Sequence, residues 1–399
     1  MSNSKALRRL HGVFSSTRKA SNSIKTTPSP RRTAARLTSG INQVLLKSIQ
    51  DLLKQKDPQK LVQQFKSLSK YSYFRQRFKL YDIVIHRLVL AKETALIEDV
   101  LESQKDYINK EAFGARIILL YGEAGMFEHA HKVFDEMPQR GFKHGERSFN
   151  ILLGAALRAG EFGKVNELFR ELPSRLGIKP SYVAYNTVIQ ALCKLNLLDE
   201  AVRLLDEMEE NGLNPGVISY NILLCTFYEK GQFQEGDKIW DCMINKGVNP
   251  NVISYSHKLL RLFNDGKDSE AMELFTELKS KELKFNVGIY NALILGSCKN
   301  DDLDGVRRWY KELLRCCGRP NRVTFSIIVP LLCDKGDFEL AYMVCLEILR
   351  LEYLVDEALL QKVVDGLAKN SMMEKAKDIV AFGKSISFSP YNLALPSLS

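Results

Sequence analysis

Apolar residues between positions 182 and 216 recur at helical intervals. Tyr185, Val188, Ile189, Leu192 and Cys193 follow the i, i+3, i+4, i+7, i+8 spacing of one helix face. Leu195 and Asn196 break that pattern, and Leu198, Ala201, Leu204, Leu205 and Met208 begin a second stripe. The segment therefore predicts two short amphipathic helices. Shifting the chain by 35 residues reproduces the same pattern. An aromatic followed by a small polar residue marks the register at Phe149-Asn150, Tyr185-Asn186, Tyr220-Asn221, Tyr255-Ser256, Tyr290-Asn291 and Phe325-Ser326. A second marker closes the units at Pro180-Ser181, Pro215-Gly216, Pro250-Asn251 and Pro320-Asn321, with Phe285-Asn286 and Val355-Asp356 as variants in the same phase.

Glycine punctuates the period. Gly125, Gly160, Gly231, Gly266 and Gly336 fall between the two helices of a unit, where a tight or left-handed backbone is needed. Gly141, Gly177, Gly212 and Gly247 follow the second helix, and Pro comes three residues later in the last three. Two helices this short cannot bury their own apolar stripes, so adjacent pairs must stack on one continuous core. The predicted fold is all-α, an α-solenoid of stacked helix-turn-helix repeats of 35 residues. Seven units are expected, at 111–145, 146–181, 182–216, 217–251, 252–286, 287–321 and 322–356, the second with one extra residue between Leu172 and Gly177. Residues 41–110 carry amphipathic stretches in a blurred phase and are expected to form a helical N-terminal cap. A partial C-terminal repeat is expected at 357–381 and a tail at 382–399.

Charge changes the picture at one end only. Of 57 Lys and Arg, nine lie in residues 1–40, before the first carboxylate at Asp51, leaving 48 basic residues against 47 acidic ones. The body is close to neutral, so its total charge gives no argument for a polyanionic partner. The basic stretch also holds eight Ser and five Thr, and Leu7, Leu10 and Phe14 share a helix face beside Arg8, Arg9 and Arg18. This is the make-up of a mitochondrial presequence, with chloroplast import or a basic RNA-touching arm as alternatives. No apolar run approaches the roughly 18 residues that cross a bilayer, so no membrane partner is expected.

Catalytic and metal chemistry finds little support. His144-Gly145-Glu146 gives half of a zinc deaminase signature, but no C-x-x-C follows. Cys193, Cys298 and Cys333 share one helical phase as small core fillers, and Cys316-Cys317 are adjacent, which suits a shared metal poorly. His129 and His131 point in different directions on a helix, and Asp301, Asp302 and Asp304 read as a capping cluster. There is no phosphate-binding G-x-x-x-x-G-K-[ST] loop. An enzyme, a metal, a cofactor and a small-molecule substrate are not expected.

The tetratricopeptide repeat has a period of about 34, but its Trp and Leu-Gly-Tyr arrangement is absent from these units. They run instead from a V-x-Y-N-x-L-I start, as in Val183 to Ile189, to an E-M-x-x-x-G-x-x-P-[ND] end, as in Glu207-Met208 through Pro215. This resembles the pentatricopeptide repeat family, over the 246 residues from Glu111 to Asp356, and the overall form looks like its short P-class members of plant mitochondria. The resemblance implies single-stranded RNA on the concave face, one base per repeat. It implies base-edge pairs Asn150 with Ser181, Asn186 with Gly216, Asn221 with Asn251, Ser256 with Asn286, Asn291 with Asn321 and Ser326 with Asp356. It implies base stacking by Val183, Ile218, Ile253 and Val323, and phosphate contacts by Arg158, Lys194 and Lys299. The family's code gives C or U at the two Asn-Asn pairs, A at Ser256/Asn286 and G at Ser326/Asp356. Ala115 and Gly145 stand at edge positions, and Arg147 and Gly288 replace aliphatic stackers.

The chemistry is sound without the family, because Asn donates and accepts, Ser has a rotatable hydroxyl and Asp only accepts. Helix capping is the competing role for the same residues. Two functions remain open: an RNA-binding factor acting on a mitochondrial transcript, or a structural subunit of the mitochondrial ribosome, with ribosomal RNA and ribosomal proteins as partners.

Overall fold

The computed structural model describes residues 44–396 apart from 282, 352, 387 and 389. The expected presequence at 1–40 lies outside the described residues. The chain divides into two compact units, Met1–Phe74 and Arg75–Ser399.

In the first unit, α1 covers residues 44–54 and α2 is Pro58–Ser69. Asp57 caps α2, its carboxylate accepting from the Lys60 N–H at 3.0 Å, and Pro58 supplies a preset φ at the first helical position. Phe65 meets Phe74 edge-to-face at 5.2 Å.

The second unit contains nine helix pairs among its described residues. They are α3 (Phe78–Leu90) with α4 (Thr94–Glu102), α5 (Glu111–Glu123) with α6 (Phe127–Glu136), and α7 (Glu146–Ala159) with α8 (Phe162–Leu176). Next come α9 (Tyr182–Lys194) with α10 (Leu198–Glu210), α11 (Val217–Glu229) with α12 (Phe233–Asn245), and α13 (Val252–Asn264) with α14 (Asp268–Ser280). The last three are α15 (Val287–Lys299) with α16 (Leu303–Cys317), α17 (Arg322–Asp334) with α18 (Phe338–Arg350), and α19 (Glu357–Lys369) with α20 (Met373–Ser385). The described residues contain no strand, and no helix among them is long and apolar enough to cross a membrane.

Each first helix from α5 to α17 lies against its own second helix and against the first helix of the next pair. Among second helices, a comparably close approach to the next second helix occurs at α18 and α20. The first helices are thus the more tightly spaced layer. The register aromatics anchor this layer: Phe149, Tyr185, Tyr220, Tyr290 and Phe325 are buried. One apolar cluster runs without a break from Leu259 to Leu393, joining α13 through α20 and the residues after them. That is the shared core a stack of short pairs requires.

The turns between the helices use a left-handed residue in one phase. Gly160, Gly231, Gly266 and Gly336 have φ between 71° and 81°, and Asn196, Asp301 and Ser371 occupy the same step at 63°, 54° and 59°. The extra residue of 146–181 is taken up by the lengthened α8, which passes through Pro173 and ends at left-handed Gly177.

Candidate nucleic-acid interface

The first helices α7 to α17 begin with the same short program. The residue before each is extended, with φ between −95° and −150°, and where it is Asn it caps the helix. From α7 to α17 the second helical residue points outward or is half-buried, the third is buried, the fourth is the register aromatic, and the fifth lies one turn from the second, exposed at Ser326, half-buried at Asn150 and Asn186 and buried at Asn221, Ser256 and Asn291. Val183, Ile218, Ile253 and Val323 occupy the second position and are 40%, 58%, 48% and 52% exposed. Aliphatic side chains left in water at one phase of the first-helix layer are free to meet a flat apolar partner.

The fifth-position residues divide by type. Three asparagines reach the closing residue of their own unit: Asn150 Nδ2 donates to Ser181 Oγ at 3.1 Å, and Asn221 and Asn291 donate to Asn251 Oδ1 and Asn321 Oδ1 at 3.2 Å each. Asn186 faces Gly216, which has no side chain to offer. The serines stay on their own helices, Ser256 donating to Ile253 O at 2.7 Å and Ser326 to Arg322 O at 3.0 Å. Their closing partners cap the next helix, Asn286 accepting from Ile289 N at 3.0 Å and Asp356 from Ala358 N at 2.8 Å. Capping is therefore carried by the closing residues Asn251, Asn286, Asn321 and Asp356, whereas the fifth-position residues lie inside the helix, where no cap is needed.

A third set of contacts was not anticipated from the sequence. Ser219 Oγ donates to Asn186 Oδ1, Ser254 Oγ to Asn221 Oδ1 and Thr324 Oγ1 to Asn291 Oδ1, each at 2.7 Å, each from the third helical residue of the following unit. The signal was present as Ser or Thr just before the register aromatic, but that place also suits a capping box, and Ser254 and Thr324 do close one.

An open groove crossing α5, α7 and α9 brings Asn150, Arg158 and Val183 together with Arg116 and Arg147. A smaller one brings Asn186 and Ile218 together with Tyr182 and Gly216. Arg158 is exposed and lies 4.0 Å from Glu123, Lys194 is exposed, and Lys299 donates to the Asn264 carbonyl of the preceding unit at 3.1 Å. Beneath this face the Tyr185 hydroxyl donates to Glu207 at 3.2 Å, and burial together with that carboxylate pushes its pKa up to about 12. Burial also lowers the pKa of His257 beside Ser256, favouring the neutral ring. Among the described residues no three His, Cys, Asp or Glu side chains are placed to hold a metal ion.

Models of the PPR repeat family match residues 180–229 and 215–257, that of the pentatricopeptide repeat domain matches 132–195, 238–301 and 274–335, and a further PPR repeat model matches 117–142. A mitochondrial pentatricopeptide repeat-containing protein of Arabidopsis thaliana is 30% identical over 338 residues, 84% of this chain and 79% of that relative. The chain belongs to the pentatricopeptide repeat family. Two other relatives from the same plant are more similar over a shorter reach. Small ribosomal subunit protein mS78 is 49% identical over 160 residues, 40% of each chain. Small ribosomal subunit protein mS79 is 44% identical over 160 residues, 40% of this chain and 41% of its own. These alignments thus span about two fifths of the relatives' length. Among solved structures, that of the pentatricopeptide repeat protein PPR10 in complex with an 18-nt psaJ RNA element covers 90% of this chain and 62% of that one, at 17% identity and a TM-score of 0.42.

Proposed function

We propose that this pentatricopeptide repeat protein is a component of the small subunit of a plant mitochondrial ribosome, holding an unpaired segment of ribosomal RNA against its first-helix layer. The observation that carries this reading is the 49% and 44% identity to two small ribosomal subunit proteins. Relatives described as mitochondrial and the basic, acid-free first forty residues support the compartment. The near-neutral body supports docking through local contacts over binding by bulk charge, since an RNA held mainly by charge needs a large basic excess. Val183, Ile218, Ile253 and Val323 would stack on bases, Asn150, Asn186, Asn221, Ser256, Asn291 and Ser326 with their closing partners would meet base edges, and Arg158, Lys194 and Lys299 would meet phosphates.

The complete sets of an exposed aliphatic and two polar edge residues at 217–251, 252–286 and 322–356 favour a second reading, a factor acting on a mitochondrial transcript. Sucrose-gradient fractionation of mitochondrial lysate separates the two. Co-migration with the small subunit that survives high salt is the expected result. A light, RNase-sensitive peak would overturn the ribosomal assignment and leave the transcript factor.

A further inference from the structure

Ser219, Ser254 and Thr324 are fully buried, and each hydroxyl reaches beyond its own helix start to an asparagine one unit back. Ser254 Oγ and Thr324 Oγ1 accept from the N–H groups of Asn251 and Asn321 at 3.1 Å. With that lone pair engaged, the hydroxyl proton has two acceptors in reach, the adjoining Asn251 or Asn321 Oδ1 at 3.2 and 3.0 Å and the Oδ1 of the fifth-position asparagine one unit back, which at 2.7 Å is the shorter contact in both units. The asparagine amide is then fixed at both ends, since Nδ2 donates to the closing residue and Oδ1 is occupied from behind.

Within the chain the two positions match. The fifth-position asparagines at 186, 221 and 291 are each followed by a Ser or Thr in the next unit. Ser256 and Ser326 are followed instead by Ile289 and Leu359 at the same step, and neither serine needs an outside donor. The exception is Asn150, followed by Ala184. There Asn150 Oδ1 is buried with no hydrogen-bond partner. A buried amide oxygen left unpaired is costly and free to turn.

We infer that Ser219, Ser254 and Thr324 are positioning residues for base recognition, each reaching from one repeat into the preceding one to lock its asparagine with only N–H groups facing the RNA. The inference rests on the reading above that single-stranded RNA lies on this face. Asn251 and Asn321 use their Oδ1 atoms as caps, and their own Nδ2 groups donate to no other side chain or carbonyl among the described residues, so each Asn-Asn pair presents donors alone. Such a pair suits adjacent acceptors, N3 and O2 of cytosine or the carbonyl oxygens of uracil. It suits poorly the guanine edge, which is mostly donor. Freed of the hydroxyl, the amide can turn and present Oδ1, accepting from purine amino groups and losing the distinction.

The test is selection from a short randomised single-stranded RNA pool by the full chain and its variants, with sequencing of the bound fraction. The wild-type protein should select two pyrimidine positions separated by one, the signature of Asn221 and Asn291 on either side of Ser256, at about tenfold over purines. Ser254→Ala should reduce the preference at one of these to about twofold or less, and Thr324→Val at the other. Ala184→Ser should sharpen a third position by giving Asn150 its missing donor. Ser148→Ala is the control, because Ser148 has the same helical place and caps Gly145 but follows Ala115. It should lower stability without moving any base ratio. If the wild type discriminates and Ser254→Ala and Thr324→Val leave the ratios unchanged, the positioning role is overturned while RNA reading stands. If the wild type selects no base anywhere, the RNA reading fails and the inference with it.

Discussion

Asp237 shows how one side chain ties two repeats together. Its Oδ1 accepts from the Tyr228 hydroxyl at 3.0 Å and from Lys258 Nζ at 2.6 Å, and its Oδ2 from the buried Arg261 at 2.5 Å. Burial pushes the carboxyl pKa up, but the bonds from Lys258 and Tyr228 and the charge of Arg261 outweigh it and hold the carboxyl below its ordinary value. A group whose folded pKa is depressed stabilises the fold above its unfolded value, about 4, and loses that contribution as pH falls through the folded value. Wild-type stability measured by urea titration should therefore drop on acidification below about pH 4. Asp237→Asn should be less stable at neutral pH and lose part of that acid slope. Parallel pH profiles for the two proteins would remove Asp237 from the acid response. None of this network was legible in the sequence, because Tyr228, Asp237, Lys258 and Arg261 meet only after two units stack, and charge spacing along a chain does not report cross-unit partners.

Elements are where the sequence spoke most clearly. Apolar stripes of period 3.6 and glycine at a fixed phase located the paired helices from 111 to 356, because each pair repeats the same local instruction. The left-handed turn was legible only where it is glycine. Asn196, Asp301 and Ser371 take the same φ, imposed by the helices on both sides, which must turn within the same number of residues whatever side chain is present. The sequence likewise showed Ser and Thr before the aromatics without showing that they reach backward to the preceding unit. Strain at the non-glycine turns gives a direct test. Ser371→Gly should raise stability by about 0.5 kcal/mol, the relief of the left-handed serine less the extra chain entropy of glycine. Gly231→Ala, at φ 71° with open space around it, should lower stability by about 1 kcal/mol. Thermal melts in which both variants match the wild type would remove backbone strain as the reason for glycine at this phase.

At the scale of the whole chain, residues 75–396 gain their stability from neighbour to neighbour, since first helices touch the pairs on either side and the apolar cluster of α13 to α20 has no break. In such a stack a lesion spreads by interface and fades with distance. Leu205 is buried in α10, and Leu205→Asp should cost about 3 kcal/mol or more by placing a charge in the shared interior. Glu210, exposed at the end of the same helix, should accept Lys with little change. Amide hydrogen exchange would show whether coupling is local. In Leu205→Asp, protection should fall first in α9 to α12 and persist in α17 to α20, because four helices and their interfaces stand between. Uniform loss across all the pairs would mean that the stack unfolds as one cooperative body. Unchanged protection in α9 to α12 would mean that the α10 stripe does not face the shared core.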